Sequence, residues 1–330
     1  MKITEKCKVA VIGGDARLLI CASKLKESGC RVKLYGFSGG GTESGTVDSL
    51  CCSSLTPRPH EFLKNLADGK ISDCGEVCTC IEESIEGSTA VVLPLPASIN
   101  GIHVSMPLSD GRQPAVSDII GHMKREGTRL LFAGKLQNEL KALAERNGIE
   151  VFDYYERDEF AILNAVPTAE GAIEIAMKEL PVTIDGSEAL VIGNGRIGKI
   201  LARLLSSLGA KVTVSARKAS DYALIRTEGH NTACTERLCG LFSSKRFDMI
   251  FNTVPHRVLG REELREIPPG TLIVDLASRP GGVDTGAAAE MDHNVIWALS
   301  LPGKVAPVTS GRIIGDTVLA RLDEYIREGK

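Results

Sequence analysis

The stretch EALVIGNGRIG, residues 188–198, decides the fold class. Four apolar residues, 189–192, make a buried strand, and Gly193-Asn194-Gly195-Arg196-Ile197-Gly198 follows at once. A GxGxxG hexad alone is a weak signal. Between a buried strand and a helix running to about residue 208, it has the context of a dinucleotide-binding βαβ unit. Gly193 then permits the tight turn, Gly195 lets the backbone approach a pyrophosphate, and Gly198 lets the helix pack closely on the strand. The helix N-terminus adds N–H donors and positive potential. Gly193, Asn194, Gly195, Arg196, Ile197 and Gly198 are therefore expected to hold a nucleotide cofactor. The bland alternative is a tight turn without a ligand.

The next strand's end tells which nucleotide. NAD enzymes place an Asp or Glu there, about 20 residues past the glycines, on the ribose hydroxyls. Here the residues are Val214-Ser215-Ala216-Arg217-Lys218, a hydroxyl and two cations with no acid. Ser215, Ala216, Arg217 and Lys218 are expected to hold the 2′-phosphate of NADP, with Arg217 as the planar fork and Ser215 as a donor. The alternative is a solvated basic turn.

Working outward, strands are expected at 189–192, 211–215, 249–252, 272–276 and 295–299, helices between most of them, and a final helix at 309–327. Such alternation implies a parallel sheet with helices on both faces, with ligands beyond the carboxyl ends of the strands. Asn252, Thr253, Val254 and Pro255 end one strand and are expected to line the nicotinamide ribose. Pro302, in the turn after the last strand, is expected to border the nicotinamide ring. His256 lies nearby, but a loop histidine is more often not a base.

The first half repeats the pattern. A strand at 9–12, Gly13-Gly14, a helix at 17–27 and a strand at 32–35 form another βαβ unit. Its turn lacks the third glycine, and Asp15 stands where a pyrophosphate would sit, so like charges would repel. The turn reads as the edge of a site and not as a cofactor cradle. Further strands are expected at 90–93, 130–132 and 150–153, a surface loop at 98–117, and irregular Gly-, Ser- and Cys-rich chain at 38–88. A connector helix is expected from Asn164 to Leu180, with Pro167 and Thr168 at its start.

The fold expected is α/β, two Rossmann-like doubly wound domains with an interdomain cleft. Residues 1–160, joined by a C-terminal helix at 308–330, form the substrate and catalytic domain; residues 161–307 form the NADP domain. A length of 330 residues suits two domains. Asp15, Arg17, Ser98, Arg157, Asn164, Thr168, Ser278 and Arg279 stand at expected strand or helix ends and are the catalytic candidates. The arginines suit carboxylates, and Asp15 is the candidate general base. Singly, each such residue is most often just solvated.

Composition excludes other classes. Net charge is −3, and aromatic residues are 4%, which argues against nucleic acid. No secretory signal and no apolar run of roughly 18 residues stand out, so neither export nor a membrane partner is expected. The ten cysteines read as reduced cytoplasmic thiols. Neither Cys74-Cys78-Cys80 nor Cys51-Cys52 has zinc spacing, and no metal is expected.

Four motifs together carry a resemblance: VIGGDAR at 11–17, YYERDEFAILNAVPTAEGAI at 154–173, DLASRPGG at 275–282 and LPGKVAP at 301–307. The chain resembles the A-subunit family of dipicolinate synthase over nearly its whole length, least well at 38–88. The resemblance implies that 4-hydroxy-tetrahydrodipicolinate, a small dicarboxylate, loses water and is oxidised to dipicolinate with NADP as acceptor. It also implies endospore formation and, for a partner, the flavoprotein-like B subunit; an oligomer is expected. The runners-up are an alanine-dehydrogenase-like or 2-hydroxyacid-dehydrogenase-like enzyme. Alanine dehydrogenases carry an acid before the paired glycines, where this chain has Arg279-Pro280. Hydroxyacid dehydrogenases carry a histidine near the last strand's end, and residues 298–302 hold none. A non-catalytic nucleotide-binding scaffold is the third reading.

Overall fold

The structure, a computed structural model, describes residues 7–37 and 71–329. Of the cysteine-rich stretch expected at 38–88, residues 38–70 lie outside these, with Cys51 and Cys52. The chain divides into two compact units, Met1–Ala161 with Ala306–Lys330, and Ile162–Val305.

The first unit holds β1 (Lys8–Ile12), β2 (Arg31–Tyr35), β3 (Glu76–Val77), β4 (Ala90–Val92), β5 (Leu130–Ala133) and β6 (Glu150–Asp153). They form one parallel sheet in the order β3-β2-β1-β4-β5-β6. Val9 and Val11 enter one core layer, Ala10 and Ile12 the other. Burial on both faces explains why β1 reads as a continuous apolar run. Helix α1 (Ala16–Glu27) follows β1. The C-terminal helix of the chain, Pro307–Arg327, begins with proline at a position that needs no N–H, and its Ile314, Val318 and Leu322 join the same core as α1. Its two glycines allow the contact. A Cβ on Gly311 would stand 2.5 Å from the Arg17 carbonyl oxygen, and one on Gly315 would stand 3.0 Å from Lys24 Cβ.

The second unit holds β7 (Glu188–Ile192), β8 (Lys211–Ala216), β9 (Asn231–Cys234), β10 (Met249–Asn252), β11 (Leu272–Asp275) and β12 (Val295–Trp297). Its sheet is also parallel, in the order β12-β11-β10-β7-β8-β9. Each sheet therefore reverses its winding beside its first strand, β1 or β7, and ligands in such sheets bind beyond the carboxyl ends at that point. Strands β3 and β9 were not among those expected. Both are short edge strands, and in β9 only Ala233 is buried, so no apolar pattern marks it.

Two expectations need correction. The connector helix α2 spans Asp158–Glu179, so Asn164, Pro167 and Thr168 stand inside it and not at its start. Pro167 removes one N–H, whose acceptor would be the carbonyl of Leu163. Leu163 is half exposed, and Thr168 Oγ1 donates to the Asn164 carbonyl at 2.8 Å. Asp158 and Glu159 supply the acidic first turn that favours an earlier start. α2 is also long and apolar enough by composition to cross a membrane, which no run in the sequence had suggested. Its Ala169, Ala172, Ile173 and Ala176 lie in the core of the second unit, while Ile162, Leu163 and Met177 are exposed.

The second correction concerns 98–117. That stretch is not a surface loop throughout. Val104, Ser105 and Met106 are buried, single bridges join Ser98 to Val104 and His103 to Ala115, and a helix begins at Val116.

Candidate functional site

The glycine turn of the second unit joins β7 to α3 (Arg196–Ser207). Gly193 has φ +100° and donates its N–H to the Ser215 carbonyl at 3.0 Å. A side chain there would meet Thr253 Oγ1 at 2.6 Å and Val254 Cγ2 at 2.8 Å. Thr253 and Val254 thus seat the turn, and Thr253 Oγ1 is fixed by donating to the Ile192 carbonyl at 2.9 Å. A Cβ on Gly198 would strike the Gly193 carbonyl oxygen, so the third glycine closes helix onto turn.

Gly195 differs. It is the N-cap of α3, no side chain caps that helix, and a Cβ on Gly195 would have nothing within 4 Å. Beside it, Asn194 Nδ2 is buried and, among the described residues, meets no acceptor. A buried donor without a partner costs about 1–3 kcal/mol, which an incoming acceptor would recover. Open space over an uncapped helix start, with a spare amide donor, fits the pyrophosphate of a dinucleotide.

At the end of β8 the side chains divide. Arg217 and Lys218 are exposed. Ala216 is buried, and its carbonyl accepts the Tyr222 hydroxyl at 2.8 Å. Ser215, expected to donate to a phosphate, is fully buried, and its hydroxyl pairs with Thr235 Oγ1 at 2.9 Å. Alternation along the strand puts Ser215 on the face opposite Val214 and Ala216, and its contribution is to tie β8 to the residue after β9.

Asn252 is corrected in the same way. It was expected at the nicotinamide ribose but is fully buried. Its Nδ2 donates to Asp275 Oδ1 at 2.8 Å and to the Val254 carbonyl at 3.1 Å, and its Oδ1 accepts Val254 N–H at 3.1 Å. Asp275 in turn accepts N–H groups of Ala277 at 3.0 Å and Gly282 at 2.8 Å. This Asn–Asp pair frames two loops: Thr253-Val254-Pro255, where Pro255 is exposed, and Ser278-Arg279-Pro280-Gly281-Gly282. Sequence reasoning missed Asp275. An acid closing the apolar run LIVD was the signal, since a buried carboxylate needs several donors.

Arg279 is exposed, and its guanidinium lies 5.9 Å from the Trp297 ring centroid. Trp297 is anchored by donating Nε1–H to the Ala277 carbonyl at 3.0 Å. Among the described residues Arg279 pairs with no carboxylate. Ser278 is exposed, and its carbonyl accepts Gly281 N–H at 2.9 Å. Pro302 is buried within a short helix, Leu301–Val305, and not displayed in a turn.

In the first unit, Asp15, Arg17 and Ser98 gather beyond β1 and β4. Asp15 caps α1 by accepting Arg17 N–H at 3.0 Å. The Arg17 guanidinium grips Asp15 through Nε at 2.9 Å and Nη2 at 2.8 Å, and Nη2 also donates to the Leu95 carbonyl at 2.6 Å. Arg17 is buried; burial opposes its charge, yet Asp15 beside it raises its pKa on balance. Arg17 was expected to hold a substrate carboxylate and Asp15 to serve as base. The fold has paired them with each other, because a guanidinium taken from water needs a counter-charge.

Ser98 is buried, with Oγ 3.3 Å from Asn100 Oδ1. Tyr154 donates to the Leu93 carbonyl at 2.9 Å, and burial pushes its phenol well up, out of proton chemistry at ordinary pH. Arg157 stands apart at the end of β6, half exposed, paired with Glu159 at 2.8 Å and stacked on Phe152. No group of three or more His, Cys, Asp or Glu suited to a metal occurs among the described residues.

Comparison with known proteins agrees with this fold. The family model for the N-terminal domain of the dipicolinate synthase A subunit matches residues 8–56, and "D-isomer specific 2-hydroxyacid dehydrogenase, NAD binding domain" matches residues 168–294. The dipicolinate synthase A subunit of Bacillus subtilis (strain 168) is 32% identical over 98% of each chain. The crystal structure of the A subunit from Bacillus halodurans shares 28% identity at TM-score 0.81, covering 98% of this chain and 99% of that one. The crystal structure of the Bacillus subtilis protein gives TM-score 0.78 at 32% identity, covering 98% of each. With a nicotinamide-dinucleotide-binding dehydrogenase domain as its second unit, the chain belongs to the A-subunit family of dipicolinate synthase.

Proposed function

We propose that this chain is an NADP-dependent dehydrogenase subunit that forms dipicolinate from 4-hydroxy-tetrahydrodipicolinate in the cytoplasm of a spore-forming cell, together with a flavoprotein-like B subunit. The observation that carries the NADP reading is the pairing of an open turn at Gly195 with exposed Arg217 and Lys218 after the next strand, where no acid stands. The likeness to A-subunit proteins over almost the whole chain supports the choice of substrate. The runner-up hydroxyacid chemistry lacks its histidine at residues 298–302.

The reaction removes water and then two hydrogens, one as hydride and one as a proton. NADP, when bound, accepts the hydride. The chain's own task is to hold a dianionic ring and exclude competing reactions. Gly195 and the start of α3 receive the pyrophosphate, and Arg217 and Lys218 the 2′-phosphate. Arg279, beside the Trp297 ring and unpaired with any acid among the described residues, is assigned to a substrate carboxylate. Asp15 and Arg17 are assigned to joining the ends of β1 and β4, since each already satisfies the other.

The test is turnover of freshly generated 4-hydroxy-tetrahydrodipicolinate with NADP, with and without the B subunit, following dipicolinate and NADPH together. The reading expects both products in equal amounts. Absence of NADPH with both subunits present overturns it.

A further inference from the structure

Strands β8 and β9 are adjacent and parallel, with Ala216 opposite Cys234. Arg217 and Thr235 therefore leave the sheet side by side at its carboxyl edge. The two strand ends are tied there by the hydrogen bond between Ser215 and Thr235. The chain then makes a single 3-10 turn, Thr235–Arg237, which keeps Arg237 at the same corner. Tyr222 marks that corner. Its hydroxyl donates to the Ala216 carbonyl, next to Arg217, and its titration is pushed up first by Cys234 and then by desolvation, while Arg237 pulls the other way. Arg237 thus lies close enough to act on a group bonded to the residue before Arg217.

Arg217, Lys218 and Arg237 are all exposed, and among the described residues none is in an ion pair. Glu236 is the acid that also acts on the Tyr222 hydroxyl. With Glu236 beside them the three cations still leave the corner with excess positive charge, which an anion would offset. A phosphate monoester carries about −1.5 to −2 charge at neutral pH and offers three acceptor oxygens, enough for two planar forks.

We propose that Arg237 is a second cation for the 2′-phosphate of NADP, approaching it from the end of β9 while Arg217 approaches from the end of β8. The inference rests on the NADP reading above and adds a specificity-determining residue to it. Ser215 and Thr235 then act as positioning residues that hold the two arginine-bearing ends together.

Calorimetric titration of the full chain with 2′,5′-ADP, 5′-AMP and inorganic phosphate tests this without turnover. Arg237→Ala should weaken 2′,5′-ADP about tenfold, the loss of one charge-assisted contact, and leave 5′-AMP within about twofold. Arg237→Glu should weaken 2′,5′-ADP further. Inorganic phosphate should bind far more weakly than 2′,5′-ADP, since it lacks the adenosine that places it. A wild-type chain that prefers 2′,5′-ADP to 5′-AMP, with Arg237→Ala unchanged or weakening both alike, overturns this inference and leaves the NADP reading standing. A wild-type chain that binds both nucleotides equally overturns the NADP reading and this inference with it.

Discussion

The two glycine turns of this chain start alike and end differently. Both follow a buried parallel strand, both begin with a glycine at positive φ, and both open a helix of twelve residues. In the second unit, Gly195 faces open space and the helix start is uncapped. In the first unit, Asp15 caps the helix and Met106 fills the turn. A Cβ on Gly13 would lie 2.5 Å from Met106 Cγ, one on Gly36 would strike Met106 Cε, and Gly14 N–H is taken by the Ser105 carbonyl at 2.8 Å. The lesson is that a strand, a glycine turn and a helix leave room for a nucleotide only where the donors are left unsatisfied and the space above them is left empty.

The contrast can be broken first at Gly195. Gly195→Val puts a branched side chain where the pyrophosphate is placed, and its Cβ meets nothing within 4 Å among the described residues. NADP binding should be lost in calorimetry with the thermal midpoint nearly unchanged. Retained affinity in the folded variant would show that the open turn is structural only.

Met106→Ala empties the other turn. A buried methionine truncated to alanine costs about 2–5 kcal/mol, and denaturant unfolding should show it. Nucleotide stoichiometry should remain one per chain, because Asp15 still caps the helix. Two nucleotides per chain would mean that Met106 alone separates the turns.

Arg17→Ala leaves Asp15 and the Leu95 carbonyl without their donor. Breaking a buried pair costs about 3–5 kcal/mol; Asp15 keeps some solvent, so about 2–3 is expected. NADP affinity should stay the same. A variant with wild-type stability and a strongly raised KM would instead return Arg17 to the substrate.

The smallest effect expected from breaking this contrast is at Arg217. Its replacement by Ala should weaken NADP by about 1.5–3 kcal/mol, the range for hydrogen bonds to charged groups, and leave NAD unchanged. Equal losses for both cofactors would place Arg217 on the shared part of the dinucleotide.

Much of this was readable in the residues. The hexad at 193–198, the apolar strands on either side of it and the missing acid at 215–218 all depend on local patterns with a fixed period or spacing. Strand β9 was not readable, because an exposed edge strand needs no apolar residues beyond Ala233. The start of α2 was misread for a different reason: Pro167 is a start signal only when the preceding residues cannot be helical, and Asp158 to Val166 can.

Side-chain roles were the least readable. The amino-acid sequence by itself determined two doubly wound sheets, the location of the glycine turn and the family, since period, glycine spacing and motif order are one-dimensional properties. The tertiary structure decided which polar groups are available to a ligand. Ser215 is spent on Thr235, Asn252 on Asp275 and Arg17 on Asp15, whereas among the described residues Asn194 Nδ2 has no partner and Arg279 only a ring. Those partners lie 20, 23, 2 and 18 residues away along the chain, and a buried polar group takes whichever partner the fold brings to it.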